Sequence, residues 1–126
     1  MKPYHGELKE DTKENADFQR VLFTGFDSQL VIMAIQAQEE TGEEVHDGDQ
    51  ILYAVDGEAE AIVDGREMSF EKGDVLAIPA GSRHNIRNTG DCSFKLFTVY
   101  APPQLAAGLV QRTAPEAWGR IAVTVP

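Results

Sequence analysis

The sequence predicts an all-β protein, a small sandwich or barrel of antiparallel strands. Glycines stand at positions 57, 65, 73, 81 and 90, a turn signal every eight or nine residues. Between them lie short apolar or alternating runs suited to strands: "QILYAVD", "EAEAIVD", "REMSFEK", "DVLAIPA" and "CSFKLFTVYA". Short strands at this spacing are the signature of sandwiches and barrels. No long amphipathic helix interrupts them, which argues against a βαβ architecture.

The elements follow in chain order. Residues 1–19 are highly charged and aperiodic, and read as an arm or a partly disordered segment. "RVLFTGF" and "QLVIMAIQ" read as the first two strands. Asp56-Gly57, Asp64-Gly65 and Gly73-Asp74 read as hairpin turns, because Asp and Gly tolerate positive φ. Pro102-Pro103 should end the strand before it, since proline has no amide to give a ladder. Residues 20–103 are thus the barrel. Residues 104–126 form an extension packed on it, with a helical turn at "QLAAGLV", a last edge strand at "IAVTV", and Trp118 lying against the barrel.

The totals narrow the function. A chain of 126 residues makes one domain, and 42% hydrophobic content supports a core. A formal net charge of −10 repels phosphate backbones and anionic membranes, so no nucleic-acid partner and no membrane partner are expected. No stretch reaches the roughly 20 apolar residues of a membrane span. The start, "MKPYHGELKED", has no apolar leader, and the one cysteine, Cys92, allows no intrachain disulfide. Both fit a reducing cytoplasm. Cys92 reads as a buried or half-buried bystander with no histidine near it in sequence.

The chemistry is concentrated in two stretches. Gly73, Pro79, Gly81, His84 and Asn88 follow G-x5-P-x-G-x2-H-x3-N without a miss. His84 opens a strand in which His84, Ile86 and Asn88 share one face. Upstream, "TGEEVHDGDQILYAVDGEAE" ends at Gly57. Glu44 and His46 lie two apart, so an extended chain points both to one side, and Gln50 follows the "DGD" bend. Asp47 and Asp49 read as turn residues, Arg83 as a partner in a surface ion pair, and His5 as a solvated residue. Tyr53 is out of phase with Gln50 and should face away from any pocket.

The 73–88 pattern is the second motif of the cupin superfamily, which the chain resembles from about residue 20 to 103. The first motif of that family, G-x5-H-x-H-x3–4-E-x6-G, is anchored on Gly57 and lands on Gln38, Glu44, His46 and Gln50. Glutamate thus replaces one histidine and glutamine replaces the usual glutamate. The resemblance implies a double-stranded β-helix, the cupin jelly roll. It implies a metal site of Glu44, His46, Gln50 and His84, holding a divalent transition metal (Mn, Fe, Ni, Cu or Zn) with room for a small-molecule ligand. The wider context resembles small single-domain proteins of the cupin-2 type, a group loosely labelled mannose-6-phosphate-isomerase-like, a label that reflects fold. Such proteins are commonly homodimers. Two functions stay open: a metal-dependent enzyme, such as a dioxygenase or isomerase of a small oxygenated substrate, or a non-catalytic binding or sensor module.

Overall fold

The computed structural model of the chain describes residues 2–115. Trp118 and the "IAVTV" strand lie outside the described residues. Among the described residues, nine strands form two sheets, with one short helix beside them. The helix α1 is Leu8–Glu14, and β1 and β2 are Gln19–Thr24 and Gln29–Ile35. Then come β3 (Asp49–Asp56), β4 (Glu58–Val63), β5 (Arg66–Glu71) and β6 (Val75–Ile78). The last three are β7 (His84–Arg87), β8 (Phe94–Ala101) and β9 (Val110–Gln111). Six strands in the order β6-β3-β8-β2-β1-β9 make one sheet, and β5-β4-β7 make the other. All pairings between these strands are antiparallel.

The regular spacing of turns has a simple origin. β3 and β4 are one arm of a two-stranded ribbon, and β5 and β6 are the other: β4 pairs with β5, and β3 pairs with β6. The ribbon tip is Asp64-Gly65, with φ of +50° and +83°, the two positive values a type I′ turn needs. The other two turn dipeptides are not hairpins. At Gly57 and Gly73 the two arms cross together from one sheet to the other, so the strands they join lie in different sheets. Hydrogen bonds lock this corner: Lys72 N–H donates to the Gly57 carbonyl (3.0 Å), and Gly73 N–H to the Ala54 carbonyl (2.9 Å). Asp-Gly suits both uses because a corner and a hairpin alike demand positive φ.

The core lies between the sheets. Val31, Met33, Ile35, Leu52, Ala54, Phe94, Leu96 and Tyr100 come from the large sheet, and Ala59, Ala61, Phe70 and Ile86 from the small one. Phe70 meets Phe94 edge-on across the gap, with ring centroids 5.5 Å apart, a favoured aromatic geometry. β8 shows the rule most cleanly: Phe94, Leu96, Thr98 and Tyr100 point inward and the residues between them do not.

Three expectations need correction. Part of the supposed arm is α1, which packs on β2, β3 and β8. Its buried contact is Thr12, and the Lys95 ammonium donates to the Asn15 carbonyl just beyond it. "LKEDTKE" has only one large apolar residue, so no helical stripe announces it. The helical turn expected at "QLAAGLV" is a tight turn with Gly108 at φ +73° and Leu109 N–H donating to the Ala106 carbonyl, and Val110 then starts the edge strand β9 against β1. Buried Gln29 holds this segment: its side-chain oxygen accepts from the amides of Gln104 (3.1 Å) and Leu105 (3.0 Å), and its nitrogen donates to the Leu105 carbonyl (2.8 Å). Finally, Cys92 is exposed, in the loop before β8.

Asn88, the last residue of the "GDVLAIPAGSRHNIRN" pattern, is a corner clamp. Its side-chain amide donates to the carbonyls of Ile35 and Cys92, each at 2.8 Å, and its oxygen accepts from Gly90 N–H at 2.8 Å. Asn88→Ala leaves three backbone groups without their partner. The expected cost is about 2–4 kcal/mol of stability, read as a lower midpoint in urea unfolding.

Candidate metal centre

The site begins with backbone pairing. Residues 36–48 run from the large sheet along β7 without forming a regular strand. Within them Glu44 N–H donates to the His84 carbonyl (2.8 Å) and His84 N–H to the Glu44 carbonyl (2.9 Å). This reciprocal pair is one antiparallel bridge. Residues paired in this way present their side chains to the same face, only a few ångströms apart. Two residues on, the His46 carbonyl accepts from Gly81 N–H at 2.9 Å. The upstream stretch is thereby stitched to the Pro-x-Gly corner that precedes His84.

The result is a tight cluster. Glu44, His46 and His84 each offer a ligand atom, and all three atoms lie within 4.8 Å of one another. Glu44 Oε1 is 3.6 Å from His46 Nε2 and 3.9 Å from His84 Nε2. These separations are too long for hydrogen bonds. They suit donors that share one ion at about 2.0–2.2 Å. The imidazole rings tilt at 43° with centroids 5.2 Å apart. Both histidines are buried, whereas Glu44 is partly open at the mouth.

Gln50 joins from β3. It alternates inward with Leu52 and Ala54 and is buried. In register it faces Tyr100 on β8, whose ring meets His46 edge-on with centroids 5.2 Å apart. Its side-chain nitrogen donates to Thr98 Oγ1 at 3.1 Å. Its oxygen, Oε1, is buried without a partner among the described residues, and so are His46 Nε2 and His84 Nε2. Unpaired buried acceptors are uncommon and costly. Two such imidazole nitrogens beside one carboxylate are what a cation would satisfy, so Glu44, His46 and His84 fit a divalent metal.

The remaining sequence candidates fall outside. Arg83 is exposed and pairs with Glu43 at 3.3 Å, and His5 and Tyr53 are exposed. Asp49 accepts from Ala80 N–H at 3.0 Å, holding the Pro-Gly corner, as a turn residue would. Two neighbours escaped the sequence reading, Thr98 and Tyr100. Their signal was available: on the inward face of "FKLFTVYA" they are the polar members of an otherwise apolar set. Burial, helped by the Glu44 charge, pushes the Tyr100 phenol well above the ordinary tyrosine range, so it keeps its proton.

Comparison with known proteins identifies the family and the fold. The family model Cupin_2, a cupin domain, matches residues 31–100. The chain belongs to the cupin family. YrkC of Bacillus subtilis, an uncharacterized protein, is 32% identical over 124 residues, covering 92% of this cupin and 66% of YrkC, so this cupin spans just under two thirds of that relative. The crystal structure of BH2720 from Bacillus halodurans superposes with a TM-score of 0.86 at 35% identity, over 89% of this chain and 90% of that one. A cupin superfamily protein from Desulfitobacterium hafniense, DSY2733, superposes at 0.62 with 25% identity, over 68% of this cupin and 76% of that chain. The double-stranded β-helix expected from the two motifs is therefore the fold. Among the described residues no helix is long and apolar enough to cross a membrane.

Burial lowers the His84 pKa below its ordinary value, against opposing contributions from the Ser82 carbonyl and the Glu44 charge. The folded protein therefore holds this ring neutral where the unfolded chain takes a proton. Its contribution to stability is complete above the unfolded value of about 6.5 and is lost as pH falls through the lowered folded value. Urea unfolding of the metal-free protein between pH 7.5 and 5 should show stability falling with pH. His84→Gln should flatten that slope.

Proposed function

We propose that this cupin binds one divalent transition metal through Glu44, His46, Gln50 and His84, and that a small oxygenated molecule completes the shell. The observation that carries this is the cluster of Glu44, His46 and His84, whose ligand atoms lie within 4.8 Å of one another, with His46 Nε2, His84 Nε2 and Gln50 Oε1 all buried and without a partner among the described residues. Two imidazoles with oxygen donors suit Mn, Fe, Ni, Cu or Zn, and the lack of thiolates argues against a purely structural zinc. Such an ion would supply Lewis-acid or oxygen chemistry, as in a dioxygenase or isomerase of a small oxygenated substrate.

The chain's own residues divide the work. Glu44 supplies the one negative charge and faces the mouth, where a ligand enters. His84 Nδ1 lies 3.0 Å from the Ser82 carbonyl. Donation there places the proton on Nδ1 and leaves the Nε2 lone pair for the ion. Of the described titratable side chains, only His46, His84 and Tyr100 are buried, and Tyr100 holds its proton tightly. That scarcity of free acid–base groups favours, as the second reading, a binding or sensor module that holds its ligand without turning it over. Ile51, Tyr53 and Val75 are exposed on the outer face of the large sheet, and Tyr53 stacks on Phe97. This apolar face supports a homodimer.

Reconstitution with each of the five metals, followed by elemental analysis, should give one ion per chain. His84→Ala should abolish stoichiometric binding, and binding by none of the five would refute the metal reading. Turnover of small oxygenated substrates by the loaded protein separates enzyme from binding module. Metal should also be lost as pH falls, because protons compete for the imidazole ligands. Retention unchanged at pH 5 would count against two histidine ligands.

A further inference from the structure

We propose that Thr98 is the positioning residue that makes Gln50 a metal ligand, by deciding which end of its amide faces the site. The inference rests on the metal reading above and concerns a different residue. An amide differs from the usual carboxylate at this position in one respect: its two ends are unlike. The oxygen can ligate a cation, and the NH2 end can only repel it. A glutamine in this place therefore needs something to orient it.

Thr98 supplies that. It is fully buried on β8, facing inward. Its hydroxyl lies 3.0 Å from the Ile51 carbonyl. A carbonyl only accepts, so the single hydroxyl proton of Thr98 is committed to Ile51. What Thr98 presents to Gln50, 3.1 Å away, is a lone pair. Only the NH2 end of the amide can meet it. Were the amide turned over, oxygen would face oxygen with no proton between them, unless Thr98 gave up its hydrogen bond to the Ile51 carbonyl. Gln50 Oε1 is thus directed away from Thr98, and it is the end of the amide left buried with no partner. The relay runs from the Ile51 backbone to the Thr98 hydroxyl, then to the Gln50 nitrogen, and sets the direction of the Gln50 oxygen. Partners behind a ligand commonly govern affinity in this way.

The chemistry also says where Thr98 should not matter. A glutamate at position 50 has two equivalent oxygens and no wrong end. In a Gln50→Glu chain, the orientation supplied by Thr98 has nothing to choose.

The test is titration of the full-length protein with cobalt(II) alone, followed by its visible d–d absorption. Thr98→Val should weaken cobalt binding about 10–100-fold and change the d–d spectrum as an oxygen donor is lost. Thr98→Ser, which keeps the hydroxyl, should restore both. In the Gln50→Glu background, Thr98→Val should leave affinity and spectrum as they are in Gln50→Glu itself. Wild-type affinity in Thr98→Val, or the same loss in both backgrounds, would overturn the inference while leaving the metal site standing. A wild-type protein that binds no cobalt would overturn the site and the inference with it. Should Thr98→Val fail to fold, wild-type protein still decides by side-chain NMR with zinc. The Gln50 carbonyl carbon should shift on zinc binding while the Gln50 NH2 protons keep their nuclear Overhauser contact with the Thr98 side chain, and an unshifted carbonyl carbon or loss of that contact would refute the relay.

Discussion

Everything at the site depends on one pair of backbone hydrogen bonds, those exchanged by Glu44 and His84. The two residues are forty apart in sequence, and the loop that carries Glu44 has no regular strand to hold it. The reciprocal bonds make them neighbours on one face, and the Gly81–His46 bond extends the same seam by a step. Without this seam, His84 would still point into the barrel from β7. It would meet neither the carboxylate nor the second imidazole.

The barrel makes such a seam possible by holding its two sheets at fixed separation. The β3–β4 and β5–β6 ribbon crosses between sheets at Gly57 and Gly73, and the β7–β8 connection is pinned by Asn88. Large apolar side chains from both sheets fill the space between. Close packing of this kind resists displacement, so the side chains on the loop, on β7 and on β3 keep their relative places. The core also offsets a local cost. Each buried polar atom without a partner costs on the order of 1–3 kcal/mol, and His46 Nε2 and His84 Nε2 sit together here. A fold accepts such a local violation at a functional site when the rest of the structure is consistent.

Orientation is the second layer of control. The Ser82 carbonyl beside His84 Nδ1 and the Thr98 hydroxyl beside Gln50 Nε2 each occupy the wrong end of a two-ended side chain. The other end, His84 Nε2 or Gln50 Oε1, is left buried without a partner among the described residues. For an imidazole this is a choice of tautomer, and for an amide a choice of rotation. Replacement of the usual glutamate by Gln50 makes the second of these choices matter.

Much of this was legible in the residues alone. Period-two alternation and a glycine every eight or nine residues determined strands, nearly to their ends, because alternation is a local property of an extended chain. Two spaced motifs singled out Glu44, His46, Gln50 and His84, of which Glu44, His46 and His84 lie in one cluster. Other features were decided only by the tertiary structure. Asp56-Gly57 and Gly73-Asp74 are corners and not hairpins, because positive φ is local while the identity of a strand's partner is not. The helix α1 escaped notice because its burial rests on a threonine and not on an apolar stripe. Thr98 and Tyr100 were visible as inward polar residues. Their place beside Gln50 and His46 follows from the pairing of β8 with β3, and no sequence spacing encodes the register between strands so far apart along the chain.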